Sequence, residues 1–283
     1  MILIIDKILK DYYGFSSYNK IVRKDKIIIE YDKKIYFLYQ IESLEKINHC
    51  FHLYTLVDYC NDFVRNRFGS IVTTINNEQY VLCSMNRKKE WKIPLFSFYS
   101  AQVQGKLKWR KLWIQKSDYL ESYLTNNREK YPLIEESMPY YLGLLETGIY
   151  LLNEEESNRN LYIQHYVMKP NEYENPLNLM IDVKERDFSE YLKYLFISKK
   201  YKEKDLCYLI QQGKNFLDYS LVIARLFLAN YYFHEVDEII INSKDEKDLK
   251  EILKRTTEYE EYILSIIDEI KKIRPIKKYP ILR

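Results

Sequence analysis

The sequence predicts an α+β chain of two lobes, a small β-rich N-terminal lobe with one main helix (residues 1–90) and a larger helical lobe (91–283). Three observations lead there. Short β-branched and aromatic runs broken by charged turns fill residues 18–41, and a helical apolar period follows at once. Beyond the charged stretch NRKKEWKIP, helical periods occupy nearly all of the remainder. With 283 residues and 47% hydrophobic content, the chain can bury one large core or two modest ones.

The elements follow in order. MILIIDKILKDYYGF is apolar but carries Asp6, Lys7 and Lys10, so it reads as an amphipathic helix of the fold and lacks the uninterrupted core of a signal peptide. YNKIVRKDKIIIEYDKKIYFLYQI reads as three antiparallel strands with turns at 24–26 and 32–34. A helix is expected through IESLEKINHCFHLYTLVDYCNDFV, with Ser43 near its start and Leu44, Ile47, Phe51, Tyr54 and Val57 or Asp58 on one face. SIVTTI, the turn Asn76-Asn77 and QYVLCSM form a second hairpin. The lobe boundary falls at 86–94. Helices are then expected around 95–109, 111–126, 134–152, 187–202, 216–240 and 245–273. Ser243 and Glu246 have capping-box spacing at the start of the last helix, and Pro275 ends it. Its stripe of Leu249, Ile252, Tyr259, Ile263, Ile266 and Ile270 is expected to pack on the helical lobe.

Composition excludes several classes. The 44 Lys+Arg nearly cancel the 41 Asp+Glu, and the basic residues, Arg87, Lys88 and Lys89 included, are interleaved with acidic ones, so no nucleic-acid partner is expected. SLVIARLFLANYYFHEV is broken by Arg225, Asn230 and His234 and is too short for a bilayer, so no membrane insertion is expected. Cys50, Cys60, Cys83 and Cys207 make no CxxC pair, and His49 and His52 have no acidic or thiol partner, so reduced thiols and no metal are expected. The 29 tyrosines against 6 glycines read as the signature of an AT-rich genome; exposed tyrosines for oxidative cross-linking in a protein shell are the sharper alternative.

Strands, one helix and a hairpin is the order of a kinase-like N-terminal lobe, a layout that resembles enzymes of the aminoglycoside phosphotransferase type. Phosphoryl transfer needs phosphates held, metal held and a hydroxyl oriented. The first turn between strands, VRKDKI, has no glycine to let backbone amides approach phosphate, and the third strand, IYFLYQI, has no lysine; Lys33 and Lys34 lie in the turn before it. Where such enzymes carry His-Gly-Asp and an asparagine five residues later, His165 leads to Tyr166, Val167 and Glu172. A valine cannot accept a hydroxyl proton. Asn171 is one residue out of place, and Asn175 and Asn178 lie further on. Asp182, seventeen residues beyond His165 in LMIDV, fits the position of a metal aspartate, or else braces the turn toward Arg186 and Asp187. His165 reads first as a buried structural histidine.

Four stretches carry a resemblance: ESMPYYLGLLETGIYLL (136–152), MIDVKERDFSEYLKY (180–194), LKRTTEYEEYI (253–263) and WRKLWIQKSDYLE (109–121). By their order and spacing the chain resembles the YutH-type spore coat proteins of endospore-forming bacteria, relatives of the aminoglycoside phosphotransferase and choline kinase group. The resemblance covers nearly the whole chain. It implies a bilobal kinase-like fold, synthesis in the mother-cell cytoplasm, a place in the spore coat among other coat proteins, and no established catalysis. The expectation is a pseudokinase with a structural or protein-interaction role, no catalytic residue and no cofactor. The alternative is a divergent ATP-dependent small-molecule phosphotransferase using Asp182, with Glu172, for metal. A regulatory pseudokinase that binds a partner through its C-terminal lobe is a third class that the sequence does not separate from the first.

Overall fold

The computed structural model describes residues 2–23, 26–85, 95–127, 130–152 and 158–274. The expected turn at 24–26 in its first two residues, the basic run Arg87–Lys89 within the boundary 86–94, and Pro275 lie outside the described residues. The chain forms two compact units: Met1–Pro94 with His165–Ile181, and Leu95–Gln164 with Asp182–Arg283. The α+β architecture expected from the sequence, a β-rich N-terminal part and a mostly helical C-terminal part, is the one observed.

In the N-terminal unit, α1 (Ile2–Lys7) runs into a π-helical turn (Ile8–Tyr12), and Ile5, Ile8 and Leu9 are buried. These residues pack with Ile27, Ile29, Leu38, Tyr80 and Leu82 on one sheet face. The sheet begins with the antiparallel strands β1 (Asn19–Val22), β2 (Ile27–Tyr31) and β3 (Lys34–Ile41). Asp32 and Lys33 close the second turn at φ 48° and 59°, the conformation that suits a two-residue hairpin. Helix α2 (Leu44–Tyr54) starts at Ser43, whose hydroxyl accepts from Lys46 N–H. It is shorter than its apolar period suggests: β4 (Asp62–Val64) leaves to pair with β6 (Glu78–Ser84), because sheet pairing outweighs a weak helical pattern there. β5 (Val72–Ile75) joins β6 through Asn76 and Asn77 at φ 49° and 65°. The second sheet face carries Phe37, Tyr39, Val81 and Cys83, packed with Ile47 of α2.

In the helical unit, residues 95–109 are not a helix. β7 (Ser100–Lys106) pairs antiparallel with β8 (Asn158–His165), with a register break between Ser100 and Gln104. Gly105 fits that pairing because a Cβ there would lie 2.6 Å from Leu161 Cδ1. Helices α3 (Trp109–Asn127) and α4 (Pro132–Leu151) follow. In the N-terminal unit come the single turn α5 (Pro170–Tyr173) and β9 (Leu179–Asp182), whose last residue opens the rest of the helical unit. There α6 (Glu185–Ile197), α7 (Glu203–Gly213), α8 (Tyr219–Phe227), α9 (Asn230–Asn242), α10 (Lys247–Leu253) and α11 (Thr256–Ile273) complete one large core. The expected 216–240 and 245–273 helices are each two, broken at 228–229 and 254–255, and α7 has no counterpart in the expectation.

The expected capping box at Ser243 and Glu246 does not form. Ser243 ends α9 in the left-handed region at φ 49°. The Glu246 carboxylate instead accepts from Leu133 N–H (3.2 Å) and Ile134 N–H (2.8 Å), capping the free amides of α4 from a distant part of the chain. The expected stripe does pack inward: Leu249, Tyr259, Ile263, Ile266 and Ile270 are buried.

Two glycines of α4 make opposite predictions. A Cβ at Gly148 would meet the Ala224 carbonyl at 2.8 Å, and one at Gly143 would meet nothing within 4 Å. Gly148→Ala is expected to destabilise by ~1–3 kcal/mol through overpacking, and Gly143→Ala to stabilise by ~0.5–1 kcal/mol through backbone entropy. Urea denaturation of both variants checks the pair.

Candidate functional site

The segment His165–Ile181 belongs to the N-terminal unit, where several of its side chains find partners. His165 is buried, with Nε2 3.1 Å from Tyr59 Oη, and its ring packs against Tyr173, which stacks on Tyr59 at 4.6 Å. Lys46 of α2 lies over the exposed Tyr166 ring at 4.8 Å. The Cys50 thiol, pushed up by burial, points at the carbonyls of Leu177 and Leu179. Asn61 N–H donates to the Glu174 carbonyl at 2.7 Å.

Within the segment, two asparagines build the loop. Asn178 Oδ1 accepts from Val167 N–H (2.9 Å), and Asn178 Nδ2 donates to the carbonyls of Val167 (2.7 Å) and Glu172 (2.8 Å). Asn175 Oδ1 accepts from Leu177 N–H (3.0 Å). Val167, expected from the sequence at the position of a catalytic carboxylate, is 40% exposed. Glu172 has both oxygens engaged: Oε1 by Lys26 Nζ at 2.5 Å and Oε2 by Asn175 Nδ2 at 2.8 Å.

Lys26 is the site residue that sequence reasoning missed. It stands one position ahead of β2, and the turn is closed by Arg23 N–H donating to the Lys26 carbonyl. Its ammonium reaches back across the sheet face to within 5.4 Å of the Phe37 ring centroid and 5.9 Å of that of Tyr39. The signal was present in VRKDKI, whose last lysine adjoins an apolar strand and can extend along it.

Asp182 is held in the helical unit. It ends β9, and its Oδ1 accepts from Val183 N–H at 2.8 Å, which turns the chain into α6. Trp109 Nε1–H donates to both oxygens (3.0 and 2.9 Å), and Arg186, one helical turn on, pairs with Oδ2 at 3.1 Å. Asp187 is buried, and its N–H donates to Gln164 Oε1 at 3.0 Å. A carboxylate already holding an arginine and an indole N–H presents a divalent ion with a repelling charge and occupied lone pairs. Among the described residues, no group of three or more His, Cys, Asp or Glu could hold a metal ion.

A buried charge network adjoins this aspartate. Arg225 lies 4.6 Å from the Trp109 ring centroid and donates through Nε to Glu190 (2.8 Å), which also receives Lys193 (3.2 Å) and Asn230 Nδ2 (2.9 Å). Lys193 donates as well to the Leu228 carbonyl at 2.8 Å. Burial alone would raise the Glu190 carboxyl, but Lys193, Arg225 and Arg186 outweigh it and hold it at about 2. Burial pushes the Lys193 ammonium down to about 7, with Arg225 and Arg186 adding to that and Glu190 opposing.

Known proteins bear on these residues in three ways. The sequence matches the family described as "Spore coat putative kinase YutH" over residues 6–266. The chain belongs to this spore coat family. It is similar to the endospore coat-associated protein YutH of Bacillus subtilis (strain 168), 24% identical over 211 residues, which is 64% of this chain and 62% of that protein, under two thirds of the relative's length. In fold it is similar to an aminoglycoside phosphotransferase from Alicyclobacillus acidocaldarius (10% identity, 90% of this chain and 92% of that one, TM-score 0.47). It is also similar to the AMP-bound spectinomycin phosphotransferase APH(9)-Ia (11% identity, 98% and 99%, TM-score 0.49). Within the family match lie His165, Val167, Glu172 and Asp182, together with Lys26 and the Glu190 network.

The Lys193 ammonium gives a pH prediction. Its folded value lies below the unfolded ~10.4, so between about 7 and 10 the unfolded chain binds the extra proton. Stability from this group therefore rises with pH across that window. Urea midpoints are expected to increase from about pH 7 to about pH 9, inside that window, and Lys193→Met is expected to flatten the increase. An equal increase in the variant would assign it to other groups.

Proposed function

We propose that this chain is a catalytically silent, kinase-like component of the endospore coat, with a structural or protein-interaction role. One observation carries the reading: the three positions that phosphoryl transfer would use are chemically spent. Val167 offers no proton acceptor. Glu172 is tied to Lys26 and Asn175, and Asp182 to Trp109 and Arg186. Family membership supports the coat context, because the matching relative is named as coat-associated. No described helix is long and apolar enough to cross a membrane. Fold does not fix function, and a kinase framework without its catalyst retains broad surfaces for other coat proteins.

A ligand that binds only the native state raises the melting temperature. Thermal melting with millimolar ATP and either Mg²⁺ or Mn²⁺ is expected to show no nucleotide- and metal-dependent rise. A saturable rise that needs both, together with phosphate release or transfer, would replace this reading with that of a divergent phosphotransferase using Asp182. In sporulating cells a tagged copy is expected at the coat; a diffuse signal confined to vegetative cytoplasm would remove the coat assignment.

A further inference from the structure

The N-terminal unit holds the Lys26 ammonium against the Glu172 carboxylate. The Lys26 side chain is 11% exposed and that of Glu172 is 20% exposed, so the pair is mostly withdrawn from water but opens to it at the carboxylate end. The rings of Phe37 and Tyr39 lie within 6 Å of the ammonium and leave it to find its anion elsewhere. An ammonium so placed requires a negative partner, because desolvation without one is costly. Glu172 supplies it from α5, 146 positions further along the chain.

The framework that carries Glu172 does not depend on the ion pair. Asn178 binds the backbone of Val167 and Glu172, Asn175 binds Leu177 N–H, and the Tyr59–Tyr173 stack anchors the same turn. The side chain of residue 172 can therefore change while the loop stays folded. Glutamine there keeps an oxygen for Asn175 and loses the charge that Lys26 needs.

We propose that Glu172 is a built-in occupant of an anion position centred on Lys26, an autoinhibitory contact that keeps small phosphate-bearing anions out. The carboxylate fills this position at an effective concentration that a free anion cannot match, since it is held in place by its own loop. With Glu172 neutral, Lys26 over the neighbouring Phe37 and Tyr39 rings becomes a receptor for phosphate oxygens, the same charge-assisted contact made to a different acceptor. This extends the silent-site reading in one respect, that the wild-type position is closed, and is tested separately from it.

The test compares wild type, Glu172→Gln, Glu172→Asp and the double variant Lys26→Met/Glu172→Gln, with inorganic pyrophosphate as the probe and sodium chloride at matched ionic strength as the control. Circular dichroism and melting without ligand establish that each variant is folded. Calorimetric titration is expected to give Glu172→Gln a pyrophosphate affinity at least about tenfold above wild type, as expected where an unpaired, part-desolvated cation gains its anion. The double variant is expected to return to the wild-type value. Glu172→Asp keeps a carboxylate and is expected to stay within about threefold of wild type, a span set by the modest worth of one charged contact. A folded Glu172→Gln with wild-type affinity overturns the proposal, and so does a gain that survives loss of Lys26. If Glu172→Gln does not fold, the independence of the loop from the ion pair is wrong, and the proposal falls with it. Metal-dependent ATP binding by wild type would instead overturn the silent reading and leave the comparison of wild type with Glu172→Gln to decide this one.

Discussion

The helical unit depends on how buried positive charge is balanced around Trp109. Its indole N–H holds Asp182, its ring faces Arg225, and Arg225 in turn shares Glu190 with Lys193 and Asn230. Residues from α3, the end of β9, α6, α8 and α9 thus meet in one connected cluster. Removing one member leaves a charge in a place water cannot reach, which typically costs ~3–5 kcal/mol. Such a cluster fixes geometry more than it adds stability. For Asp182 the consequence is structural: its carboxylate ties the end of β9 to α3 and α6.

The same trade is visible in the N-terminal unit, where uncharged groups do the holding. Asn178 occupies the backbone on both sides of Val167 and so fixes the loop without a carboxylate at that position. A valine is tolerated there because the loop takes its shape from Asn178, and exposing one isopropyl group is cheap for a surface residue. Glu172 and Lys26 then satisfy each other. In both units these carboxylates are paired with partners from the same chain.

Much of this was legible in the sequence, and the part that was not shares a cause. The β1–β2–β3 meander, the Asn76-Asn77 hairpin, the N-terminal amphipathic helix and the turn from Asp182 to Arg186 are local, written in residues a few positions apart. The partners of Glu246 and Lys26 are not, nor are Arg225 and Asn230, which Glu190 holds beside its local partner Lys193. Glu246 sits at capping-box spacing after Ser243, yet it caps α4 more than a hundred positions away, because tertiary packing brought free amides closer than its own helix did. Residues 95–109 read as helical until β8 offers a strand to pair with, and the breaks at 228–229 and 254–255 have no proline or glycine to announce them. The break at 228–229 places the Leu228 carbonyl and the Asn230 side-chain amide against Lys193 and Glu190, partners that no local pattern announces.

The tyrosine content takes its meaning from where the hydroxyls go. Tyr259 donates to the Leu226 carbonyl in the last turn of α8, where helical carbonyls lack intrahelical partners, and Tyr262 donates to the Leu192 carbonyl of α6. Tyr141 stacks on Tyr232 with centroids 3.6 Å apart, and their hydroxyls meet Thr256 and Ser137. Phenylalanine would fill the same volumes but leave those carbonyls and hydroxyls without this partner, so each ring both packs its helix against a neighbour and sets the register between them. Burial raises the Tyr232 and Tyr262 hydroxyls above their usual range, which keeps them protonated and donating. A tyrosine committed in this way is removed from any surface chemistry. Tyr119, Tyr150 and Tyr208 stand exposed, one each on α3, α4 and α7. In the helical unit these buried tyrosines build the core from rings that carry their own hydrogen-bond donors.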